Sequence, residues 1–306
     1  MSKKFFIISL ISLLLFLSGA LLFIGLDKDG LPMIKDAVGE TSGFAVYTKD
    51  GDVIPTRTIK NIKKTMPSPI GIIENPPLAI ITDIYGKTLE SMDNDRLVLI
   101  IYVDGLGYEI YKKAMDRGII PCLKSLGTAK KALTVYPPIT DVAFASMVTG
   151  RTPKYTTIHS REKKPLPIPT IFDKAAEKGK TSKLIEGDIR ILVDEVETIL
   201  NIDENKNGTI DDEIYERALE ELQSPPHLLL VHFHSYDDFG HTYGPGSQEA
   251  LNQLSVLDSY IENILKNYTG DVIITSDHGM HDEGDGGSHG SFSGTDLFIP
   301  IIIKNQ

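Results

Sequence analysis

Three of the eight histidines in this 306-residue chain lie within residues 272–290, VIITSDHGMHDEGDGGSHG. An apolar run ends there in Asp277 and His278, and glycines, acidic residues, His281 and His289 follow. Imidazoles and carboxylates grouped in this way are ligands that zinc prefers. The alternative is a flexible acidic loop without a metal.

A second group of polar side chains follows another apolar run, in YDDFGHTYGPG (236–246). Asp237 and His241 are four residues apart, so on a helical turn both side chains lie on the same side and can bind one ion. His289 would complete this set. A second set consists of Asp104, Asp277 and His278. Two neighbouring sets indicate a two-metal site, with Zn²⁺ expected and Mn²⁺ as the alternative, whose ions lie about 4 Å apart and bind a phosphoryl centre.

Such a site needs a nucleophile, and LTVYPPITDVAFASMVTGRTP (133–153) offers the hydroxyl of Thr140 at the start of a helix candidate. A hydroxyl there lies beside backbone N–H groups that favour an anion. The alternative is that Thr140 or Asp141 only caps the helix.

The elements that must position these residues alternate between apolar runs and amphipathic segments. The strand candidates are 96–105, 181–188, 227–238, 271–279 and 297–304, and the helix candidates are 108–117, 141–149, 170–178, 211–223 and 247–267. This pattern predicts an α/β fold with a mostly parallel sheet sandwiched by helices. Ligands of such folds bind beyond the carboxyl ends of the strands. Asp104, Asp237 and Asp277 all lie at or just after strand ends.

Composition limits the classes of partner. The formal net charge of −11 and the absence of a basic stripe argue against nucleic acid. An anionic substrate stays compatible, because bound metal ions would supply local positive charge. The chain has one cysteine, Cys122, so it forms no intrachain disulfide. The oligomeric state is not predicted.

The N-terminus has an uncharged run of 22 residues, FFIISLISLLLFLSGALLFIGL (5–26). A helix of that length reaches about 33 Å, enough to cross the hydrocarbon core of a membrane. Lys3 and Lys4 before the run place the N-terminus inside, so we expect a single-pass protein whose catalytic domain lies outside the cytoplasm. A cleaved signal peptide on a secreted protein is the alternative.

Residues 27–95 differ from the rest and are predicted to form a small β-rich appendage or stalk. GFAVYTKDGDVIPTRTI (43–59) has an Asp-Gly turn between β-rich flanks, which indicates a hairpin. LAIITDIYGKTLES (78–91) is also interpreted as a hairpin. The expected organisation is therefore an anchor or signal at 1–26, the appendage at 27–95 and a catalytic domain at 96–306.

Four stretches together, YVDG, PPIT…MVTG, DDFGHTYGP and SDHGM, resemble the alkaline phosphatase superfamily in order and form. The branch that they resemble is the type I phosphodiesterase/nucleotide pyrophosphatase family, and the resemblance spans about 98–304. It implies an alkaline phosphatase-like fold and assigns Asp104, Thr140, Asp277 and His278 to one metal. It assigns Asp237, His241 and His289 to the other, with His281 as a competitor for the place of His289.

The resemblance implies a two-metal phosphohydrolase that cleaves phosphodiester or pyrophosphate bonds through a phospho-threonine intermediate on Thr140. Ala143 stands where members of the branch carry an asparagine that helps to hold the phosphate. The alternatives are a phosphoethanolamine-type phosphotransferase, a phosphomonoesterase of the same superfamily, and a non-catalytic surface binding module on the same fold.

Residues 201–222, NIDENKNGTIDDEIYERALEEL, contain part of an EF-hand-like pattern. The candidate calcium loop consists of Asp203, Asn205, Asn207 and Asp211, with Gly208 at its turn. Position 12 is Ile214, where a complete EF-hand has a carboxylate, and an Asn-Gly turn that precedes a helix is the alternative. His232 and His234 lie on one face of a strand candidate, where hydrogen bonding is more frequent than metal binding. His234 is a candidate to support a metal ligand.

Overall fold

The computed structural model describes residues 24–27, 30–35, 39–161, 164–193 and 195–305. The strands are β1 Ile24–Leu26, β2 Pro32–Lys35, β3 Phe44–Thr48, β4 Val53–Thr56, β5 Pro69–Glu74, β6 Ala79–Ile80, β7 Val98–Val103, β8 Lys130–Leu133, β9 Ser182–Glu186, β10 Glu197–Leu200, β11 Leu228–Phe233, β12 Asp271–Thr275, β13 His281–Glu283, β14 Gly286–Ser288 and β15 Phe298–Lys304. The helices are α1 Ile62–Thr65, α2 Asp83–Asp93, α3 Tyr108–Asp116, α4 Pro121–Ser125, α5 Thr140–Thr149, α6 Pro153–Thr156, α7 Ile171–Glu177, α8 Asp211–Glu221, α9 Ser235–Tyr243, α10 Gln248–Lys266 and α11 Gly294–Leu297.

A sheet with the order β10-β9-β11-β7-β12-β15-β8-β6 forms the centre of the molecule. The five strands from β10 to β12 are parallel, and β15 pairs antiparallel with both β12 and β8. All six residues of β7 are buried, because successive side chains enter the apolar layers on opposite faces. Helices α3, α8 and α10 cover one face, and α2, α5 and α7 cover the other. The predicted fold class, a mostly parallel sheet sandwiched by helices, is confirmed.

The predicted hairpin at 43–59 is confirmed, since β3 and β4 pair antiparallel around the Asp50-Gly51 turn. The hairpin predicted at 78–91 is wrong. That stretch forms the two-residue strand β6, which pairs with β8, and then helix α2. Its buried residues are Ile84, Thr88, Ser91 and Met92, a helical spacing that places them on one face. The domain division at residue 95 stays a prediction, and β6 and α2 pack with the large sheet.

The N-terminal sheet has the order β1-β2-β5-β3-β4 and packs on the large sheet through a shared apolar cluster. Tyr47 of β3 is fully buried there, and its hydroxyl donates a hydrogen bond to the carbonyl of Thr134 at 2.9 Å. The ring of Phe292 lies 5.5 Å from the ring of Tyr47, centroid to centroid. The small sheet therefore supports the segment just after His289.

The predicted membrane helix at 5–26 needs a correction at its end. Residues Ile24–Leu26 form strand β1, which pairs antiparallel with β2, so a helix cannot extend to residue 26. Residues 5–23 lie outside the described part of the chain. Across the described residues, the structure contains no helix with the length and apolarity needed to cross a membrane.

The contact between the two sheets can be tested with Tyr47→Phe. The variant removes a buried hydroxyl donor and leaves the Thr134 carbonyl without that bond, so we expect the free energy of unfolding to fall by about 1–2 kcal/mol. Urea denaturation would measure the change. Tyr155→Phe, at a half-exposed tyrosine, is the matched control and should change stability by less than about 0.5 kcal/mol. Equal stability of the two variants would contradict the described packing.

Candidate metal centre and active site

Three aspartates meet at the carboxyl edge of three neighbouring strands. Asp104 directly follows β7, Asp277 follows β12, and Asp237 lies in the first turn of α9, directly after β11. Their exposed fractions are 5% for Asp104, 7% for Asp237 and 0% for Asp277. Parallel strands that end at one edge therefore bring together residues up to 173 positions apart, as the strand-end pattern predicts.

These carboxylates are not satisfied by the protein alone. Within the described residues, Asp104 Oδ1, Asp237 Oδ1 and Asp277 Oδ2 are buried and have no hydrogen-bond donor. The other oxygen of Asp277 accepts hydrogen bonds from the N–H groups of Gly105 at 3.0 Å and His278 at 2.9 Å. Leaving buried carboxylate oxygens unpaired is strongly unfavourable, so the arrangement favours either a protonated carboxyl group or a bound cation.

Three imidazoles point into the same space, and each is oriented by a backbone carbonyl. The Nδ1 atoms of His241, His278 and His289 lie 2.9, 3.2 and 3.0 Å from the carbonyl oxygens of Gly287, Gly279 and Pro138. Because a carbonyl only accepts, Nδ1 must carry the proton in each ring. In the neutral rings Nε2 is then the free nitrogen, which is the pattern of histidines that bind a metal.

The distances between these ligand atoms suit bound ions. His241 Nε2 lies 3.2 Å from Asp237 Oδ2, and His278 Nε2 lies 3.3 Å from Asp277 Oδ2 and 3.5 Å from Asp104 Oδ1. Two ligands of a tetrahedral zinc ion, each about 2.1 Å from the metal, are about 3.4 Å apart. The geometry therefore fits divalent cations at this edge of the sheet.

The structure groups the ligands slightly differently from the resemblance. His278 belongs to two groups of candidate ligands. One group contains Asp104 and Asp277, and the other contains Asp237 and His289. The ring of His289 stacks on that of His278 with a centroid distance of 3.7 Å and lies 5.0 Å from that of His241. The two predicted ligand sets thus form one continuous cluster.

Thr140 lies next to this cluster. Its Oγ1 is 3.4 Å from His278 Nε2, and the residue is 7% exposed. Thr140 is the first residue of α5, and the N-cap position belongs to Ile139, whose side chain makes no capping bond. The interpretation of Thr140 or Asp141 as a helix cap is therefore not needed, and the hydroxyl is available beside the N–H groups of the first turn.

The pKa values of the three carboxyl groups shift in different directions, upward for Asp104 and downward for Asp237 and Asp277. Burial, together with the charges of Asp277 and Asp237, raises the pKa of Asp104 well above its ordinary value. Burial acts in the same sense on Asp277, but His278 and hydrogen bonds hold its pKa at about 2. Burial and the charge of His278 lower the pKa of His289 to about 4, so this ring is neutral and able to bind a metal at neutral pH. Metal binding would displace the proton from Asp104.

Two other predicted residues lie elsewhere. His281, the competitor of His289, is in β13 and its Nδ1 lies 2.9 Å from Asp296 Oδ1. Asp211 of the candidate calcium loop turns away from that loop, since its Oδ1 accepts a hydrogen bond from the N–H of His234 and its Oδ2 from that of Ser235. Helix α8 begins at Asp211, which sends this side chain towards the large sheet.

The rest of the predicted calcium loop is held by hydrogen bonds among its own residues. Asp203 accepts from the N–H groups of Asn207 at 3.1 Å and Gly208 at 3.0 Å. The side-chain amides of Asn205 and Asn207 both donate to Asp212 Oδ2. Calcium binding at Asp203, Asn205 and Asn207 stays a prediction. The hydrogen bonds within this loop are also those that an Asn-Gly turn before a helix would form.

The sequence interpretation missed Glu186, which ends β9 and is fully buried. His232 and His234 both contact its carboxylate, which agrees with the expectation that they are hydrogen-bonded. Glu186 follows the apolar residues of the strand candidate 181–188, as Asp104 follows those of 96–105, but no motif in the sequence joins it to the two histidines.

A cleft of ≈390 Å³ opens beside the cluster. Its described lining includes the carboxylates of Asp104, Asp141, Asp188, Asp237 and Asp238. Among those described lining residues, Arg161 and His234 are the side chains able to carry positive charge. A phosphate group would be repelled from this cleft unless cations occupied the cluster.

Metal removal tests the need for cations. Adding Zn²⁺ to chelator-stripped protein should raise the free energy of unfolding by about 4 kcal/mol when free zinc is about 1,000 times its Kd. Differential scanning calorimetry would show this as a rise in Tm. His159→Ala, at an exposed histidine outside the cluster, should keep the rise, whereas His241→Ala should reduce it. A Tm that does not respond to zinc would contradict the metal centre.

Gly105 provides a second test. Its φ is +74°, and a Cβ atom there would lie 2.7 Å from Asp237 Oδ1. Gly118 has a similar φ of +69° but no atom within 4 Å of its Cβ position, so Gly118→Ala should lose only about 1–2 kcal/mol from backbone strain. Gly105→Ala should lose more than this and weaken zinc binding, measured by urea denaturation and zinc titration. Equal losses in both variants, with unchanged zinc affinity, would be inconsistent with the close approach of Asp237.

Comparisons with known proteins agree with the fold and with the motifs. The model of the family described as "Type I phosphodiesterase / nucleotide pyrophosphatase" matches residues 177–293, a range that contains Asp237, His241, Asp277, His278 and His289. No curated protein matches the sequence.

Two of the matching solved structures illustrate the shared fold. Murine ectonucleotide pyrophosphatase/phosphodiesterase 5, an inactive variant in complex with AMP, matches with a TM-score of 0.51 and 18% identity over 62% of this chain and 58% of its own. Phosphonoacetate hydrolase from Sinorhizobium meliloti 1021, in complex with phosphonoacetate, matches with a TM-score of 0.50 and 19% identity over 60% of this chain and 56% of its own. The chain thus spans somewhat more than half the length of these structures. The predicted resemblance to the type I phosphodiesterase/nucleotide pyrophosphatase family is confirmed over residues 177–293, and these solved structures agree with the predicted fold.

Proposed function

We propose that this protein is a metal-dependent phosphoric ester hydrolase that cleaves phosphodiester or pyrophosphate bonds. One observation carries the proposal. Three buried carboxylates with unpaired oxygens and three carbonyl-oriented imidazoles surround a space next to the hydroxyl of Thr140. The family match over the second half of the chain supports the same class of enzyme.

Thr140 is the proposed nucleophile. Its Oγ1 loses its proton and bonds to phosphorus while the bond from phosphorus to the leaving oxygen breaks and that oxygen takes up a proton. Water then hydrolyses the phospho-threonine, which restores the Thr140 hydroxyl and releases the phosphate product. Two divalent ions, of which zinc is proposed and manganese is the alternative, would supply Lewis acidity to the hydroxyl and to the leaving oxygen. Asp104, Asp277 and His278 would hold the ion beside Thr140, and Asp237, His241 and His289 the other.

The phosphate must be held without a side-chain amide at position 143. Ala143 is fully buried against the apolar layer beneath α5, so it offers no donor. The first N–H groups of α5 have no partner within the helix and lie beside Thr140, which makes them the proposed donors to the phosphate oxygens. Arg161 lines the same cleft and is the proposed partner of a further anionic group.

The substrate class follows from the shape and charge of the site. The cleft extends from Thr140 past Ile189 and Ile191, so it can contain an organic group on the leaving or the retained side of the phosphate. The murine neighbour contains AMP, a phosphate monoester of the kind that diester cleavage releases. We therefore propose diesters or pyrophosphates over monoesters.

We also propose that the protein is anchored in a membrane by its N-terminal apolar segment, with the catalytic domain outside the cytoplasm. The uncharged run at 5–26 and the lysines before it support this. Because the described fold begins with β1 at Ile24, the anchor would end near residue 23. The alternative stays a cleaved signal and a secreted protein.

Hydrolysis can be tested with bis(4-nitrophenyl) phosphate and 4-nitrophenyl phosphate in the presence of zinc. We expect faster turnover of the diester. Thr140→Ala should lower kcat by at least about 10³-fold with little change in zinc content, because it removes the nucleophile and keeps the carboxylates and imidazoles. Thr128→Ala, an exposed threonine, is the matched control and should retain full activity.

Quenching a reaction in progress and mapping the peptides by mass spectrometry should place a phosphoryl group on Thr140. Full activity of Thr140→Ala would remove this residue from the mechanism. Absence of turnover for diesters, monoesters and pyrophosphates in zinc-loaded protein would favour a binding module.

Anchoring can be tested by carbonate extraction of membranes from cells that express the full chain with a C-terminal epitope. The anchored protein should stay in the membrane pellet, and external protease should remove the epitope from intact cells or spheroplasts. Recovery of the full-length chain in the cytoplasmic fraction would overturn both the anchor and its orientation.

A further inference from the structure

A second group of ionisable side chains lies beside the metal centre. Glu186 ends β9, His232 is the penultimate residue of β11, His234 directly follows β11, and Asp104 directly follows β7. Strands β9, β11 and β7 are neighbours, and their register pairs Val231 with Ile185 and His232 with Tyr102. The four side chains therefore meet at the same sheet edge as the proposed two-ion site.

The carboxylate of Glu186 contacts one ring nitrogen of His232 and one ring nitrogen of His234. Its Oε1 lies 3.0 Å from His232 Nδ1 and 2.6 Å from His234 Nε2. Glu186 and His232 are fully buried. A buried carboxylate that binds one nitrogen of an imidazole fixes the ring and directs the other nitrogen to a metal, as carboxylates behind metal-bound histidines do.

The two remaining nitrogens face one carboxylate oxygen of Asp104. His232 Nε2 lies 3.4 Å and His234 Nδ1 lies 3.8 Å from Asp104 Oδ2. Both distances exceed the usual range for hydrogen bonds, about 2.7–3.2 Å. They are close to the spacing of about 3.4 Å between two ligands of one tetrahedral ion.

A further observation points to a ligand in this space. His232 Nε2 is buried and has no hydrogen-bond partner among the described residues. Its ring is fixed from the side by Tyr102, whose ring centroid is 4.8 Å away, so the nitrogen cannot easily turn to another partner. The three ligand atoms of Asp104, His232 and His234 all lie within 4.8 Å of one another.

We propose that Asp104 Oδ2, His232 Nε2 and His234 Nδ1 bind an additional divalent cation, separate from the two ions at Thr140. Two imidazoles and one carboxylate suit zinc. The side chain of His234 is 20% exposed and lines the open cleft, so a water molecule can take the fourth position. Asp104 would then bridge this ion, through Oδ2, and the two-ion site, through Oδ1. The inference rests on the proposed function only in that Asp104 is a proposed ligand of both sites.

The test counts ions in the full chain. The purified protein is stripped with chelator and dialysed against excess Zn²⁺, and zinc per chain is measured by inductively coupled plasma mass spectrometry. The wild type should hold three ions and His234→Ala two. His159→Ala, at an exposed histidine that belongs to none of these groups of candidate ligands, should hold three.

A second variant avoids removing a ligand. Glu186→Gln keeps both imidazoles and nearly the same volume, and it should weaken the binding of one of the three ions by about 10–100-fold. Competition with a chromophoric zinc chelator would measure this loss, with circular dichroism to show that the variant is folded.

The outcomes separate the additional ion from the two-ion site. If the wild type and His234→Ala hold equal numbers of ions and Glu186→Gln titrates like the wild type, the additional site is overturned, and the two histidines only bridge Glu186 and Asp104. If His241→Ala alone loses zinc, the two-ion site stands without the additional one. If His234→Ala alone loses zinc, the additional site stands and the proposed two-ion function fails.

Discussion

The structure depends on one electrostatic constraint, which is the burial of four acidic side chains at a single edge of the large sheet. Asp104, Asp237, Asp277 and Glu186 come from four different strand ends, and each is nearly or fully buried. Carboxylates that are removed from water must be protonated, paired or bound to a cation. The imidazoles that surround them pair part of this charge, and the oxygens that remain without donors are the candidate positions for bound cations.

The scaffold around the cluster serves mainly to orient the imidazoles. The carbonyls that accept from the rings belong to three separate segments: Gly287 in hairpin β13–β14, Gly279 after β12, and Pro138 before α5. The small N-terminal sheet also contributes, because Tyr47 of β3 packs on Phe292, three residues after His289, alongside Tyr136 from the segment before α5. The N-terminal sheet, which is distant in sequence from the candidate metal ligands, thus helps to position His289 by packing on Phe292.

Much of this architecture could be predicted from the sequence, because buried parallel strands are unbroken apolar runs and their ends mark the site. That pattern placed β7, β9, β11, β12 and β15, and it selected Asp104 and Asp277. It failed at 78–91, where a short strand is followed by a helix whose buried positions include Thr88 and Ser91, polar residues that hide the helical period. It also extended the predicted N-terminal helix over β1, because an apolar strand and an apolar helix are alike in hydropathy.

The site residues that the sequence did not reveal depend on tertiary contacts. Glu186 has its imidazole partners 46 and 48 positions further along the chain, so no local motif joins them. Asp211 has the spacing of a calcium-loop ligand in the sequence. A helix begins at this residue, however, and its carboxylate accepts a hydrogen bond from the N–H of Ser235. The carbonyls that orient the rings carry no sequence signal, since every residue has one.

Anomalous diffraction is the most direct test of the central claim that cations compensate the buried carboxylates. Crystals of the zinc-loaded protein, measured on both sides of the zinc absorption edge, should show two strong peaks about 4 Å apart at the two-ion site, apart from any peak between Asp104, His232 and His234. One should touch Asp277 and His278, and the other Asp237 and His241. An ordered cluster without anomalous density between these side chains, in crystals grown with excess zinc, would contradict the account.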